Sequence, residues 1–455
     1  MATKKARFLA LPLALAVSAA TTADTRSDKI EALEEQLSRQ RQMIEQQQNM
    51  LEAMEEQLRE LKGGAAASQA VPVEIAAAER QPVIVEGDEV SGYKLDLYGH
   101  IQLDAIYDFK RVDPTWESTL RPSTIPTVDG TFGDDGNTIV SVKQTQMGFK
   151  GQMPTPMGQV STWFEFDFFG TGSDAGDTKF NLRHAWVEVG GLGFGQTNST
   201  FMDISIFPNV VDWWGPSGMV FNRNPQVRYR WLNDGSAWAI ALEKPNGSFN
   251  TGVFGELSPE FGEAANVKTE LPDLTAHWRN EFDWGHYQIA GVLRKLEFET
   301  RGTPGNEPSF DDTGWGVNLT GVINTVGRDQ LKLGVVYGEG IASFMNDGGV
   351  NLAPENNAAE AVPILGVTAY YDRYWSDHWS SSLGFSINDA DPRNQQADRE
   401  FDTGTYASIN LLYTPYPEFL IGSEFLYGEN EDVGGEEGED YRIQFTFKHK
   451  FGASF

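Results

Sequence analysis

The chain contains no cysteine, which excludes a disulfide scaffold, a thiolate metal site and a thiol nucleophile together. It is also poor in cations: 35 Lys and Arg stand against 65 Asp and Glu, a formal net charge of −30. Phosphate contacts need a local excess of cation, so a nucleic-acid partner is excluded. Long hydrophobic runs are missing as well. No stretch approaches the roughly 20 apolar residues of a membrane-spanning helix. What the chain has instead is 47 glycines, 12% aromatic and 40% hydrophobic residues over 455 positions, too apolar for disorder and longer than one ordinary domain needs.

Lys4, Lys5 and Arg7 precede an apolar run from Phe8 to Val17, and small residues follow up to Ala23. That order is the basic start, apolar stretch and cleavage region of an export signal, assigned to residues 1–23. Residues 26–62 then repeat in heptads. Position a holds Ile30, Leu37, Ile44, Leu51 and Leu58, and position d holds Leu33, Gln40, Gln47, Met54 and Leu61. This predicts a coiled coil, a rod of about 50 Å. Gln40 and Gln47 at central d positions cost stability and set register and oligomer number; three glutamines around a threefold axis favour a homotrimer over a solvated single helix. Residues 63–92, with Gly63, Gly64, Pro72 and Pro82, hold no period and read as a flexible linker.

From Tyr93 to Phe455 the period changes to two. Leu95, Leu97, Ile101, Leu103, Ala105 and Tyr107 alternate with Asp96, His100, Gln102, Asp104 and Asp108, and similar segments of nine or more residues recur to the end. These exceed the usual globular strand and match a tilted bilayer crossing. Seven short connections (Pro154–Gly158, Gly190–Gly191, Asn233–Gly235, Gly285–His286, Thr325–Asp329, Ser376–His378, Pro415–Glu418) alternate with eight long ones. The fold predicted is all-β: a 16-stranded antiparallel transmembrane barrel preceded by an α-helical coiled coil, with both barrel ends on the periplasmic, short-turn side. Aromatics beside the turns (Trp284, Tyr371, Tyr374, Trp375, Trp379, Tyr413, Tyr416, Phe419) form a girdle, and the chain ends on Phe455, a mark of barrels inserted in the outer membrane of a Gram-negative cell.

Sixteen strands leave a water-filled lumen, so function should lie in what narrows it. The connection 199–224 is too apolar to sit in water, with Phe207, Trp213, Trp214 and Phe221 among its residues. It is expected to fold inward as a constriction; a subunit contact or a membrane-dipping loop are the alternatives. By strand parity Arg228 and Arg230 face the lumen opposite Val227, Tyr229 and Trp231, and Arg279 and Arg294 do the same, with Arg223 immediately before them. Glu165 and Asp167 face inward on a distant strand. An arginine ladder across from carboxylates would orient a dianionic solute, since guanidinium binds carboxylate in bidentate fashion; equally, the arginines neutralise lumen acids. Arg183 has outward parity unless a bulge intervenes. The acids of the connection Glu429–Asp440 read as a loop that is either solvated or bridged to lipopolysaccharide by divalent cations. No HExxH, GxSxG or phosphate-binding loop occurs, and the six histidines are scattered, so neither an enzyme nor a metal site nor a cofactor is expected.

The stretches YKLDLYGHIQLDAIYDF (93–109) and NLRHAWVEVGGLGFGQTNSTFMDISIFPNVVDWWGPSGMVFNRNPQVRYRW (181–231), in the order signal, coil, linker, barrel, resemble the DcaP-like outer-membrane porins. The resemblance implies a trimeric porin with a periplasmic coil, taking up dicarboxylic acids. Arg223 and Arg228, in the stretch Arg223-Asn224-Pro225-Gln226-Val227-Arg228-Tyr229, inherit a pore-lining role. Asn198 stands where an aromatic is expected after Gly195-Gln196-Thr197. The expected partners are outer-membrane lipid, lipopolysaccharide and small anionic solutes, with peptidoglycan as a partner of the coil. Two other functions fit the same pattern: a general or carbohydrate-favouring porin, with Trp213 and Trp214 stacking on sugars, and a structural envelope protein with the coil as periplasmic spacer.

Overall fold

The period-two pattern is realised with its polarity inverted relative to a soluble protein. On the first strand Leu97, Ile101, Leu103 and Tyr107 are exposed, while Gln102, Asp104 and Asp108 are buried. Hydrophobic side chains facing out and polar ones facing in are the signature of a sheet closed in lipid around a polar interior. The computed structural model describes residues 92–455 apart from residue 234. The export signal (1–23), the coil (26–62) and nearly all of the linker lie outside the described residues.

The barrel strands are β1 (Lys94–Asp108), β2 (two pieces, Asn137–Ser141 and Gln146–Thr155), β3 (Gly158–Phe169), β4 (Thr178–Val189), β5 (Leu192–Asn198), β6 (Arg223–Asn233), β7 (Ser236–Glu243), β8 (Ala265–Lys268 and Asp273–Phe282), β9 (Gly285–Thr300), β10 (Phe310–Asn324), β11 (Gln330–Glu339), β12 (Pro363–Tyr374), β13 (Trp379–Ala390), β14 (Phe401–Tyr416), β15 (Phe419–Asp432) and β16 (Glu437–Ser454). Each pairs antiparallel with the next. β16 closes on β1 from Asp96 opposite Ser454 to Asp108 opposite Arg442. Closure leaves no edge, as hydrocarbon demands of every backbone donor and acceptor. Among the described residues no helix is long and apolar enough to cross a membrane. Leu352–Glu355 and Ala358–Ala361 form a small separate hairpin within the connection from β11 to β12.

Two connections differ from expectation. The turn expected at Gly285–His286 falls one pair earlier, because β9 begins at Gly285 and pairs it with both Phe282 and Ile323. Gly285 has φ of 135°, and a Cβ there would lie 1.9 Å from the Val322 carbonyl oxygen, so only glycine fits this approach. The acidic stretch 429–440 is not a loop. β15 and β16 run on as a ladder, placing Glu429 opposite Glu439 and Glu431 opposite Glu437. The alternate residues of this extension are fastened inward: Asn430 donates to the Ile125 carbonyl at 2.8 Å, and Asp432 accepts from Thr127 at 2.6 Å and pairs with Arg399 at 2.9 Å. Those contacts hold the hairpin extended despite the like charges facing outward.

The aromatics near the short turns stand on the outer surface. Trp284, Trp375, Trp379 and Tyr416 are exposed, and Trp379 packs on Tyr413 with ring centroids 4.6 Å apart.

An outward position in mid-strand should reject charge. Leu319 on β10 lies between Ile289 and Val335 of its neighbours and is exposed. Leu319→Arg is expected to cost about 2–4 kcal/mol, read from urea-dependent refolding into lipid vesicles. Val326→Arg, in the short turn between β10 and β11, should cost about 1 kcal/mol or less. Equal losses at the two positions would mean that Leu319 does not face hydrocarbon.

Candidate functional site

Leaving β5, the chain from Ser199 to Asn222 meets the inward polar side chains of one strand after another. Glu243 of β7 accepts from the Ser199 hydroxyl and the Thr200 N–H, each at 2.9 Å. His277 of β8 bonds to the Thr200 carbonyl at 2.9 Å, Gln288 of β9 donates to Met202 at 3.0 Å, and Asn318 of β10 donates to Phe201 at 2.9 Å. Lys332 of β11 donates to the Phe207 carbonyl at 2.7 Å, and Asp372 of β12 accepts the Asn209 N–H at 3.2 Å. Asn410 of β14 donates to the Asn209 carbonyl at 2.8 Å, and Glu424 of β15 accepts the Val211 N–H. Gln444 of β16 and Gln144, in the break of β2, both donate to the Val211 carbonyl at 3.0 Å. Trp213 stacks on Phe169 of β3 at 3.9 Å between centroids and donates to Asp167 at 3.1 Å. On its return the segment gives its Gly218 N–H to Ser386 of β13 at 2.7 Å. Beyond the single turn Ile204–Ile206 and the bridge of Val220 to Met345, this backbone has many of its donors and acceptors met by side chains, as a buried irregular segment requires.

Two acids anchor this segment in opposite electrostatic settings. Asp203 is fully enclosed and meets Arg279 at 2.9 Å, His286 at 2.9 Å and Thr320 at 2.8 Å. Burial acts to raise its carboxyl, but Arg279 and His286 outweigh burial and hold it well below the usual carboxylate range. Asp212 accepts from Thr119 at 2.8 Å and from the N–H of Leu120 and Gly215, each at 3.1 Å. Burial outweighs these hydrogen bonds and the charge of Arg442, and its carboxyl is raised.

Phe201, Met202, Ile204, Ile206, Met219 and Val220 pack away from water, whereas Phe207, Trp213, Trp214 and Phe221 remain half-buried. Phe207 lies 5.6 Å from Phe221 and Trp213 lies 5.4 Å from Trp214, between ring centroids. Arg121, from the connection between β1 and β2, lies between Trp116 and Trp214 at 4.2 and 4.0 Å and donates to Asp347 at 2.8 Å. Sequence reasoning missed Arg121; its segment has no period that would assign it a direction.

The arginines of the wall lie beside carboxylates of the same arc. Glu165 and Asp167 on β3 do not stand across from them. Arg183 of the adjacent β4 donates to Glu165 at 3.0 Å and to Asp167 at 2.7 Å. It reaches them because the register slips between Glu165 and Phe166, passing from His184 opposite Glu165 to Leu182 opposite Phe166; this is the bulge its parity required. Arg228 and Arg230 share one carboxylate, Glu188, at 3.8 and 2.7 Å. Arg228 also covers Trp186 at 4.6 Å. Arg279 pairs with Asp203 and Glu281, and Arg294 with Asp273 at 3.1 Å. Arg223 is half-buried at the mouth of β6, over Phe221 at 4.8 Å. Asn198, where the resemblance leads to an aromatic, is fully buried, and its carbonyl accepts from Gln226 at 3.1 Å. Breaking any one buried ion pair of this kind costs about 3–5 kcal/mol, because the other charge is left uncompensated.

The fold is similar to that of two solved outer-membrane proteins. The crystal structure of the outer membrane channel DcaP of Acinetobacter baumannii superposes with a TM-score of 0.67 at 23% identity, covering 80% of this chain and 98% of that one. The anion-selective porin from Comamonas acidovorans gives a TM-score of 0.53 at 10% identity, covering 79% of this chain and all of its own. Likeness at such identities establishes the porin barrel and nothing finer. No curated protein matches the sequence. The family model described as the DcaP outer membrane protein matches residues 20–255, just over half of the chain, so this barrel, polar within and apolar without, belongs to the DcaP outer membrane protein family, whose place is the outer membrane.

Proposed function

We propose that the protein is a passive porin favouring small dicarboxylic and other anionic solutes, through a lumen narrowed by the connection 199–224. The observation that carries the narrowing is the series of hydrogen bonds from wall side chains to residues 199–218, taken from β7 through β16 and on to β3. A segment tied at so many points to an inner wall occupies the bore rather than the rim. The preference for anions rests on uneven pairing: Arg228 and Arg230 have Glu188 between them, which leaves a positive surplus on β6. Phe207, Trp213, Trp214 and Phe221 line the accessible side of the segment and would exclude broad, strongly hydrated solutes while admitting flat or slender diacids.

The homotrimer, with the coil 26–62 in the periplasm and its contacts to peptidoglycan, rests on the heptad pattern, and the contact of the acidic outer hairpin with lipopolysaccharide rests on its charge. A carbohydrate-favouring pore draws on the same four aromatics. The β6 surplus favours anions over sugars, which carry no charge for it to act on.

Single-channel recording in planar bilayers tests this reading. The pore should be anion-selective by its reversal potential in a salt gradient and blocked by added succinate. Arg228→Ala is the informative variant, because Arg230 still holds Glu188 at 2.7 Å and the barrel should fold. It is expected to move the reversal potential towards that of cations and to weaken succinate block about tenfold, the effect of about 1.4 kcal/mol. Cation selectivity in the parent channel would overturn the reading.

Acid supplies a second test. A carboxyl depressed in the folded state contributes stability at pH above its unfolded value of about 3.9, and that contribution is lost as the pH falls through the folded value. Asp203, held below the usual range by Arg279 and His286 against the effect of burial, should therefore keep its anchor from neutral pH down to about 4, so that any change in parent conductance within that window comes from the raised Asp212 end of the segment. In Arg279→Ala burial is less opposed, the carboxyl takes up its proton at higher pH, and larger, unsteady conductance should begin within that window. A pH-dependent parent channel that becomes constant in Asp203→Asn would contradict this.

A further inference from the structure

The wall arginines named above are shared among carboxylates; three lysines of the same wall are not. Lys448 and Lys450 on β16 have the parity of Gln444 and Thr446, which are fully buried, while Phe447 and Phe451, of the opposite parity on either side of them, are exposed outward. Lys150 on β2 likewise alternates with the exposed Phe149. Register sets Lys448 beside Gln102, Lys450 beside His100 and Lys150 beside Asp96 of β1. Lys448 pairs across to Leu420, close to the short turn between β14 and β15, whereas Gln444, which holds Val211, pairs with Glu424 further up. These lysines therefore lie on the periplasmic side of the level at which Gln444 grips the segment.

None of the three forms an ion pair among the described residues, in contrast to Lys332, which meets Asp372 at 2.9 Å. The carboxylates nearest to Lys448 and Lys150 are engaged elsewhere, and Glu418, the acid whose charge acts on Lys450, makes no ion pair with it. Asp104 accepts from Thr446 at 2.7 Å, Gln102 at 3.0 Å and Gln444 at 3.1 Å. Glu165 accepts from Tyr98 at 2.6 Å and Arg183 at 3.0 Å, and Asp96 pairs with Lys94 at 2.9 Å and bonds Ser454. Lys150 rests its ammonium on Trp163 at 4.7 Å and Tyr98 at 5.6 Å, a cation–π contact that orders the side chain without neutralising it. Two residues apart on one face, Lys448 and Lys450 have backbones about 7 Å from each other, so their like charges repel when nothing lies between them. An anion carrying two carboxylates removes that repulsion and satisfies both.

We propose that Lys448 and Lys450, flanked by Lys150, form a second carboxylate-binding step on the periplasmic side of the connection 199–224, receiving a dicarboxylate after it has passed. The inference rests on the porin reading above and adds to it a site with its own position along the pore. Passage then proceeds from the arginine surplus on β6 to the lysines on β16, and the solute leaves towards the periplasm from a site where lysine, a hydrated point charge, binds less rigidly than an arginine fork.

The test is side-specific block of single channels inserted in one orientation, with succinate added to one compartment at a time. In the parent channel succinate should block from both sides. In K448Q/K450Q, block from the periplasmic side should weaken about tenfold, while block from the extracellular side stays within about twofold. K448R/K450R, which keeps both charges, should restore the periplasmic block, and this variant separates loss of charge from loss of fold. Periplasmic block unchanged in K448Q/K450Q overturns the lysine site alone. A parent channel that succinate blocks from neither side overturns the dicarboxylate reading and this site with it.

Discussion

In hydrocarbon an unpaired backbone N–H or carbonyl has no water to turn to, and every other feature of this protein follows from that constraint. It forces the sheet to close, β16 onto β1, along the ladder from Asp96 to Asp108. Closure assigns every strand residue either to lipid or to the interior, and that assignment brings the polar half of the sequence together. At the seam, Arg442 is wholly buried, pairing with Asp108 at 2.7 Å and donating to the Thr119 carbonyl at 2.8 Å. A guanidinium in that position is tolerable because its donors all find acceptors.

The same rule acts a second time inside. Segment 199–222 has no ladder of its own, and the wall answers many of its backbone groups with glutamine, asparagine, lysine or carboxylate side chains, while others bond to backbone groups within it or in the connection from β11 to β12. The polar interior is accordingly a framework for one irregular segment as much as a lining for solute. Its charges are arranged locally, acid beside base on neighbouring strands, and the pairing is uneven at a few positions: the two arginines on Glu188 and the lysines of β16 and β2.

Much of the architecture was legible in the sequence because period two is a one-dimensional signal. Leu97, Ile101 and Leu103 against Gln102 and Asp104 disclose both faces of β1 before any coordinates exist, and the alternation of short and long connections discloses closure. Partnership was not legible. That Arg183 meets Glu165 depends on one bulge, and that Arg279 meets Asp203 depends on the course of an irregular segment; neither is written in local spacing. Composition misled at 429–440, where a run of acids reads as a loop although Asn430 and Asp432 are fastened inward. Arg121 had no signal at all, lying in a long connection whose direction only tertiary contacts determine. The aromatics Phe207, Trp213, Trp214 and Phe221 stood out in the sequence because large apolar side chains in a nominally external loop need somewhere to go.

The attachments of segment 199–222 also impose an order on assembly. Val211 is held by Glu424 and Gln444, residues 213 and 233 positions further along the chain. Contacts of such separation form late, since the intervening chain must first be brought into place. The segment is made early in synthesis, but its Val211 end has neither Glu424 nor Gln444 to dock against until the last two strands have joined the sheet. The act that seals the barrel thus also supplies the side chains that hold Val211 in place.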